Sequence, residues 1–477
     1  MSLKSKIAFN TGIQVISKVV ATALGLVALG IMTRYLGQSG FGEYTTIITF
    51  ISFFAVIADL GLTLVTVQII SAPGADENKA LNNLFSLRLI SALFFIALGP
   101  ITVLFFPYGH DIKIGVLIVS LAFVFIALNQ VLVGLFQKKL RMEKVSIAEV
   151  AGRTLLLVGV IIAAEKNWGI NGILWATVVG NALNFLLHYL FSRKFVKLRL
   201  AYDKKFWLDV AKRSWPLALI IFFNLIYLRT DTLILSLVKT QAEVGLYGSA
   251  YKVIDVLITI PFMFAGIVLP VLTNNWGRNN KSTFNSVLQK SFDFMAMIAL
   301  PLAVGTMFTA NEIMTIVAGP DFLLAGTILR ILIIAAAMIF IGAMFSHAII
   351  AVNKQKKLIG LYIFTSITSL IAYLIFIPKF SYIGAAAVTV YSETIIALVS
   401  IFYAWKFTSF LPQIKTLAKI ALASLVMALF LFSADSFLHS SSLNLAVTII
   451  VAALVYTGTL LVLKAVSKKD LKEILNH

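Results

Sequence analysis

Residues 214–238 read SWPLALIIFFNLIYLRTDTLILSLV, an apolar run of membrane length with Arg229 and Asp231 inside it. About 20 helical residues cross the hydrocarbon of a bilayer, and a charged side chain placed there is costly. Residues two apart point about 200° away from each other on a helix, so these two side chains do not face one another. Each looks for its own partner, on another helix or in a water-filled space. The stretch therefore sets two expectations: a membrane-spanning helix, and a polar surface that this helix lines.

Outward from there, the rest of the chain has the same character. Of 477 residues, 60% are hydrophobic and only 12% are charged, and mean hydropathy is +0.98. Soluble proteins carry about 25% charged residues, so the composition describes an all-α polytopic membrane protein. The absence of cysteine excludes disulfides and thiolate metal sites. Apolar stretches predict about fourteen spans, at 7–33, 41–71, 81–106, 112–136, 146–164, 170–192, 211–238, 243–273, 284–309, 324–351, 357–377, 383–407, 415–435 and 443–465. The first, after Lys4 and Lys6, is too long for a signal-peptide core and reads as an uncleaved span.

The net charge of +19 is explained by where the cations lie. Lys and Arg crowd into 137–144, 193–213, 353–358 and the C-terminal tail, whereas the alternate loops hold only Arg34, Lys113, Lys166, Lys239 and Lys379. That asymmetry places both termini in the cytoplasm and the protein in the cell membrane. The basic loops read as topology determinants facing anionic membrane lipids, with no nucleic-acid role.

A repeat is visible. QSGFGEY (38–44) and QAEVGLY (241–247) share Gln, Gly and Tyr in register, and GILWATV (172–178) and GAAAVTV (384–390) share Gly, Thr and Val. Each pair falls at equivalent places in two runs of six spans. The expected organisation is an N-terminal six-helix lobe at 1–200 and a C-terminal six-helix lobe at 201–410, pseudo-symmetric as parallel repeats around a central cavity. Residues 411–477 add two further helices and a basic tail.

The intramembrane charges give the candidate site residues. Asn10, Gln14 and Lys18 recur every four residues on one face of the first helix, and Lys18 reads as a cavity cation or as the structural partner of a buried acid. Asn224, Tyr227 and Asp231 share a face of the seventh; Arg229 points elsewhere, with snorkelling to the outer surface as its competing reading. Glu149 and Arg153 stand four apart with the acid first, the spacing of a self-neutralising pair. Lys252 and Asp255, three apart, allow the same. Tyr247 and Tyr251 offer either a sugar-binding surface or simple packing. Arg330 reads as interfacial. Asp59 and Glu393 lie deep in their spans with no local partner, which makes them, with Asp231 and Asp255, candidates for ion coupling. A polar cavity between the two lobes accommodates the set most simply.

No phosphate-binding GxxxxGK[ST], HExxH or GxSxG motif occurs, the five histidines are scattered, and the external loops are short. A membrane enzyme such as a sugar polymerase or ligase would need a substantial external loop with catalytic groups. The chain therefore reads as a non-enzyme.

TRYLGQSGFGEY (33–44) and YLRTDTLILSLVKTQAEVGLYGSAYKV (227–253) resemble polysaccharide flippases, the O-antigen and repeat-unit transporters of the multidrug/oligosaccharidyl-lipid/polysaccharide exporter superfamily. The resemblance implies two lobes flanking a cavity that opens alternately to each side. It implies a polyprenyl-diphosphate-linked oligosaccharide as cargo, carried from the cytoplasmic to the outer leaflet, with a glycan polymerase and glycosyltransferases of the same pathway as expected partners. It also implies that cationic cavity residues hold the diphosphate, for which Lys18, Arg153, Lys252 and Arg229 are the candidates. No cofactor is expected; coupling to H+, Na+ or the membrane potential is. The alternative on the same fold is a cation-coupled exporter of small drugs, which should favour acids and aromatics over central cations.

Overall fold

The helices answer a single constraint. Hydrocarbon offers backbone N–H and C=O groups no partner, so a spanning segment satisfies them internally. The computed structural model describes residues 3–59, 61–71, 76–434 and 442–465, and these are helical nearly throughout. In chain order the helices are α1 (Leu3–Asp59), α2 (Leu62–Ile70), α3 (Glu77–Thr102), α4 (His110–Lys138), α5 (Met142–Glu165), α6 (Gly169–Ser192), α7 (Lys204–Val238), α8 (Gln241–Gly277), α9 (Lys281–Ala318), α10 (Ala325–Ala351), α11 (Lys356–Thr408), α12 (Ile414–Ser433) and α13 (Ser442–Val462).

Among the described residues, twelve helices are long and apolar enough to cross a membrane. Two are too long to cross only once. At 1.5 Å per residue the 57 residues of α1 would extend about 85 Å, against a hydrocarbon core of about 30 Å. Both carry an internal break: Gly37 at φ 64°, ψ −174° in α1, and Ser381 at φ 52°, ψ −136° in α11, three residues after Pro378. Each is thus a pair of crossings joined by one non-helical residue, which brings the spans to the expected fourteen. The expected second span at 41–71 is not one helix. Gly61, at φ 72°, separates the end of α1 from the nine-residue α2. The segment at 146–164, an expected span that carries both Glu149 and Arg153, is an unbroken helix in α5.

The chain forms two compact units, 1–245 and 246–477. The sequence repeat divides the chain at 200 instead. The two divisions differ by α7, which packs on α1, α2 and α3 and so counts with the first unit. The core of the first unit sets Ile47, Phe50 and Ile51 of α1 against Ile96, Val116, Val119 and Leu174.

In the second unit α9, α10 and α11 pack around Phe284, Phe292, Phe340 and Phe345. The added pair α12 and α13 rests on α9 through Ile420, Met427, Leu431 and Leu460. The hydroxyl of Tyr456 donates to the Met297 carbonyl at 2.9 Å.

The basic segment between α6 and α7 is pinned rather than loose. Arg199 N–H donates to Asn82 Oδ1 at 3.0 Å, Ala201 N–H to Ser86 Oγ at 2.8 Å, and Asp203 N–H to Asn83 Oδ1 at 2.8 Å. Three polar side chains on α3 thus replace water for an extended backbone. Asp203 also caps α7 by accepting from Phe206 N–H at 3.1 Å, and it pairs with Lys79 at 2.8 Å. The hydrogen bond from Lys79 and that from Phe206 hold the Asp203 carboxyl below its ordinary value of 3.8.

Candidate functional site

In the first unit, α5 and α6 cross where Gly152 meets Gly180. A Cβ on Gly152 would stand 2.8 Å from the Gly180 carbonyl oxygen, and one on Gly180 would stand 2.9 Å from that of Gly152. The absence of both side chains lets the backbones touch, as at other small-residue crossings in membranes. The next residues along each helix, Arg153 and Asn181, are thereby brought to the rim of one pocket. α4 closes its third side.

The pocket holds about 360 Å³. Ile126, Val133, Val145 and Leu156 form its apolar wall, and its polar wall is Asn129, Gln130, Glu149, Arg153, Asn181, Asn184 and His188. Several of these groups are already used. Asn181 Nδ2 donates to the Thr177 carbonyl at 2.9 Å, and His188 Nδ1 donates to that of Asn184 at 2.9 Å. Others are not. Asn129 Oδ1, Asn184 Oδ1 and His188 Nε2 are buried with no hydrogen-bond partner among the described residues. Arg153 is exposed and makes no ion pair among the described residues.

Glu149 differs from expectation. Its partner is Lys18 of α1, Nζ to Oε1 at 3.5 Å, not Arg153 one turn along its own helix. The approach of α1 to α5 supplies a competing cation and leaves the Arg153 guanidinium for the pocket. Lys18 is half exposed, at 47%, in keeping with either of its two readings.

The other polar positions on α1 divide. Asn10 is buried and its Oδ1 accepts from the Met142 N–H at 2.7 Å, capping the first turn of α5. Gln14 is exposed and donates to the Asn10 carbonyl at 3.2 Å. Asn10 therefore serves the helix start that carries Glu149 and Arg153, and its side chain is not part of the pocket lining.

Asp59 also departs from expectation. It pairs with Arg88 Nη1 at 2.5 Å and accepts from the Thr63 hydroxyl at 2.5 Å, while Arg88 Nε donates to the Ala127 carbonyl at 3.0 Å. Arg88 is only 3% exposed. Periodicity on one helix does not show this pair, because its members sit on α1 and α3.

On α7, Asp231 is fully buried and accepts from the Thr232 N–H, and Arg229 is half-buried. Asn224 Nδ2 donates to the buried Tyr227 hydroxyl at 3.0 Å.

In the second unit Lys252 and Asp255 form the expected local contact at 3.8 Å. Tyr247 is fully buried, packs against Tyr251 with ring centroids 5.6 Å apart, and shares the Thr389 hydroxyl with Tyr373 at 3.3 Å. Both tyrosines are buried. Glu393 is 5% exposed and has no hydrogen bond or ion pair among the described residues. Of the four expected cations, then, Lys18 and Arg153 are brought to the neighbourhood of one carboxylate, and Arg229 and Lys252 are placed elsewhere. Asn129, Asn184 and His188 were not among the expected residues. A signal for two of them exists: Thr177, Asn181, Asn184 and His188 recur at steps of three and four along one face of α6.

Residues 31–325 match the model of a family described as polysaccharide biosynthesis protein. A probable low-salt glycan biosynthesis flippase of Haloferax volcanii is 24% identical over 246 residues, 51% of this chain and 52% of that one. A second probable flippase of the same organism is 21% identical over 48% of this chain and 46% of its own length. The matched stretch thus spans about half of each of these relatives. Among solved structures, the lipid II flippase MurJ in an inward closed conformation superposes with a TM-score of 0.76 at 19% identity, covering 93% of this chain and 97% of that one. An inward-facing multidrug resistance MATE family transporter gives 0.64 at 16% identity, over 82% and 94%. Both likenesses are of fold.

Proposed function

Since this chain belongs to the polysaccharide biosynthesis protein family, we propose that it is a flippase that carries polyprenyl-diphosphate-linked oligosaccharide units from the cytoplasmic to the outer leaflet by alternating access. The observation that carries the reading is the pocket among α4, α5 and α6, where polar groups without hydrogen-bond partners among the described residues sit inside helices of membrane length.

The physical problem of such a cargo is its headgroup. Each hydroxyl stripped of water without replacement costs roughly 2–7 kcal/mol, and about 1.4 kcal/mol is tenfold in rate. A polar cleft that substitutes for water lowers that barrier while the lipid tail stays in the bilayer. A guanidinium suits phosphate oxygens through its fork of donors. Arg153 is the best placed of the four cations for that contact, being at the pocket and outside any ion pair among the described residues. Lys18, held near Glu149, contributes positive potential at the same end. The pocket lies toward the ends of α4 and α6 and the start of α5, next to the basic segment 137–144. With the termini cytoplasmic, as the distribution of Lys and Arg indicates, that is the side from which the cargo loads.

The test is reconstitution. Purified protein in vesicles carrying a fluorescent lipid-linked glycan should speed its passage between leaflets, read by an impermeant quencher. Equal rates with and without protein would remove the reading, and acceleration of small organic cations alone would favour a drug exporter.

A further inference from the structure

The orphaned atoms of the pocket share one chemical property. Asn129 Oδ1, Asn184 Oδ1 and His188 Nε2 are all acceptors. For His188 the property follows from its other nitrogen. Nδ1 faces the Asn184 carbonyl at 2.9 Å and must donate, so in the neutral ring Nε2 carries the lone pair. As the side chains stand, an ionised phosphate group, which brings only acceptors, satisfies none of them; it would need each amide turned over and has nothing to offer His188 Nε2. What they lack is a donor, and a polyhydroxylated ring brings several.

We propose that the pocket among α4, α5 and α6 is a sugar subsite, with Asn129, Asn184 and His188 reading hydroxyl or acetamido N–H groups, and with Arg153 at its rim marking the junction to the diphosphate. The inference rests on the flippase reading and assigns the two chemical halves of the cargo to different residues. Its volume of about 360 Å³ falls in the range of small-molecule sites, about 300–1,000 Å³. A half-turn of either amide about its broad last torsion exchanges oxygen for nitrogen at the pocket face, so the same side chains meet donors or acceptors as the sugar presents them. A purely structural role accounts for the three atoms poorly, because a buried acceptor left unpaired costs about 1–3 kcal/mol and an apolar side chain would pack there without that cost.

The experiment compares two probes on detergent-purified full-length protein: farnesyl diphosphate, which has no sugar, and farnesyl diphosphate bearing N-acetylglucosamine. Asn184→Leu and His188→Phe should each weaken binding of the sugar-bearing probe about tenfold, the loss expected for one or two hydrogen bonds, and leave the sugar-free probe unchanged. Arg153→Gln should weaken both. Thermal midpoints identify a variant that fails to fold, and Asn129→Leu then takes its place. Equal weakening of both probes by the amide and histidine variants, or no weakening of either, overturns the subsite and leaves the flippase reading standing. Wild-type protein that binds neither probe and moves no lipid-linked glycan in vesicles overturns both.

Discussion

Gly42 and Gly245 hold equivalent positions in the two sequence repeats, and each lies against the backbone of the other's motif. A Cβ on Gly42 would stand 1.7 Å from the Gln241 carbonyl oxygen, and one on Gly245 would stand 2.0 Å from that of Gln38. Gln38 and Gln241 are themselves equivalent, so the contact is reciprocal. The Thr46 hydroxyl adds a hydrogen bond to Gln241 Oε1 at 2.8 Å. A reciprocal contact of this kind is how two copies of one motif pack on each other.

Alanine at either glycine therefore has backbone, not a flexible side chain, in its way. Gly42→Ala or Gly245→Ala should lower stability by about 1–3 kcal/mol through forced separation of α1 from the start of α8. Gly12→Ala, whose added Cβ meets nothing within 4 Å, is the control. Thermal midpoints in detergent compare the three; equal midpoints would mean the contact opens at no cost.

The Asp59–Arg88 pair predicts a stability phenotype. Asp59→Asn leaves a guanidinium 3% exposed without its counter-charge, a loss of about 3–5 kcal/mol for a broken buried pair. Asp59→Asn should accordingly reduce the yield of folded protein, and Asp59→Asn combined with Arg88→Met should recover much of it. A well-folded single mutant with altered ion dependence would instead return Asp59 to the coupling candidates.

Glu393 is the carboxyl to test for coupling. It is buried in α11 with no charged partner among the described residues, and a carboxylate in such surroundings is costly. Its charge is therefore tied to whichever conformation admits water. Glu393→Gln should flatten the dependence of transport on pH or sodium while membrane insertion is retained. Unchanged ion dependence in vesicles would exclude it as the coupling group.

The strap at 193–203 gives a pH prediction outside the membrane. Asp203 has its carboxyl held below 3.8 by Lys79 and the Phe206 N–H. A depressed value means that the stabilising contribution is complete above 3.8 and is lost as pH falls through the lower folded value. Protease sites in the strap should stay protected from pH 7 to pH 5 and open only below about 3.8. Asn83→Ala, which removes the acceptor for Asp203 N–H and Trp207 Nε1, should open them at neutral pH. Cleavage at pH 5 in the wild type would contradict this account.

Whatever depends on counting along one chain is legible without the fold. Spans follow from the length of apolar runs, the expected topology from the distribution of Lys and Arg, and family membership from local motifs such as TRYLGQSGFGEY. The Lys252–Asp255 contact was legible because three residues separate its members on one helix. Whatever depends on which helices touch appears only once the chain is folded. Glu149 prefers Lys18 over Arg153 because α1 brings a second cation to it, and Asp59 finds Arg88 across two helices. The pocket exists because Gly152 and Gly180 let α5 and α6 approach until Asn184 and His188 stand beside Arg153. Helical periodicity reports a side chain's direction, but its partner is fixed by the approach of another helix, and that distance is written in no single stretch of sequence.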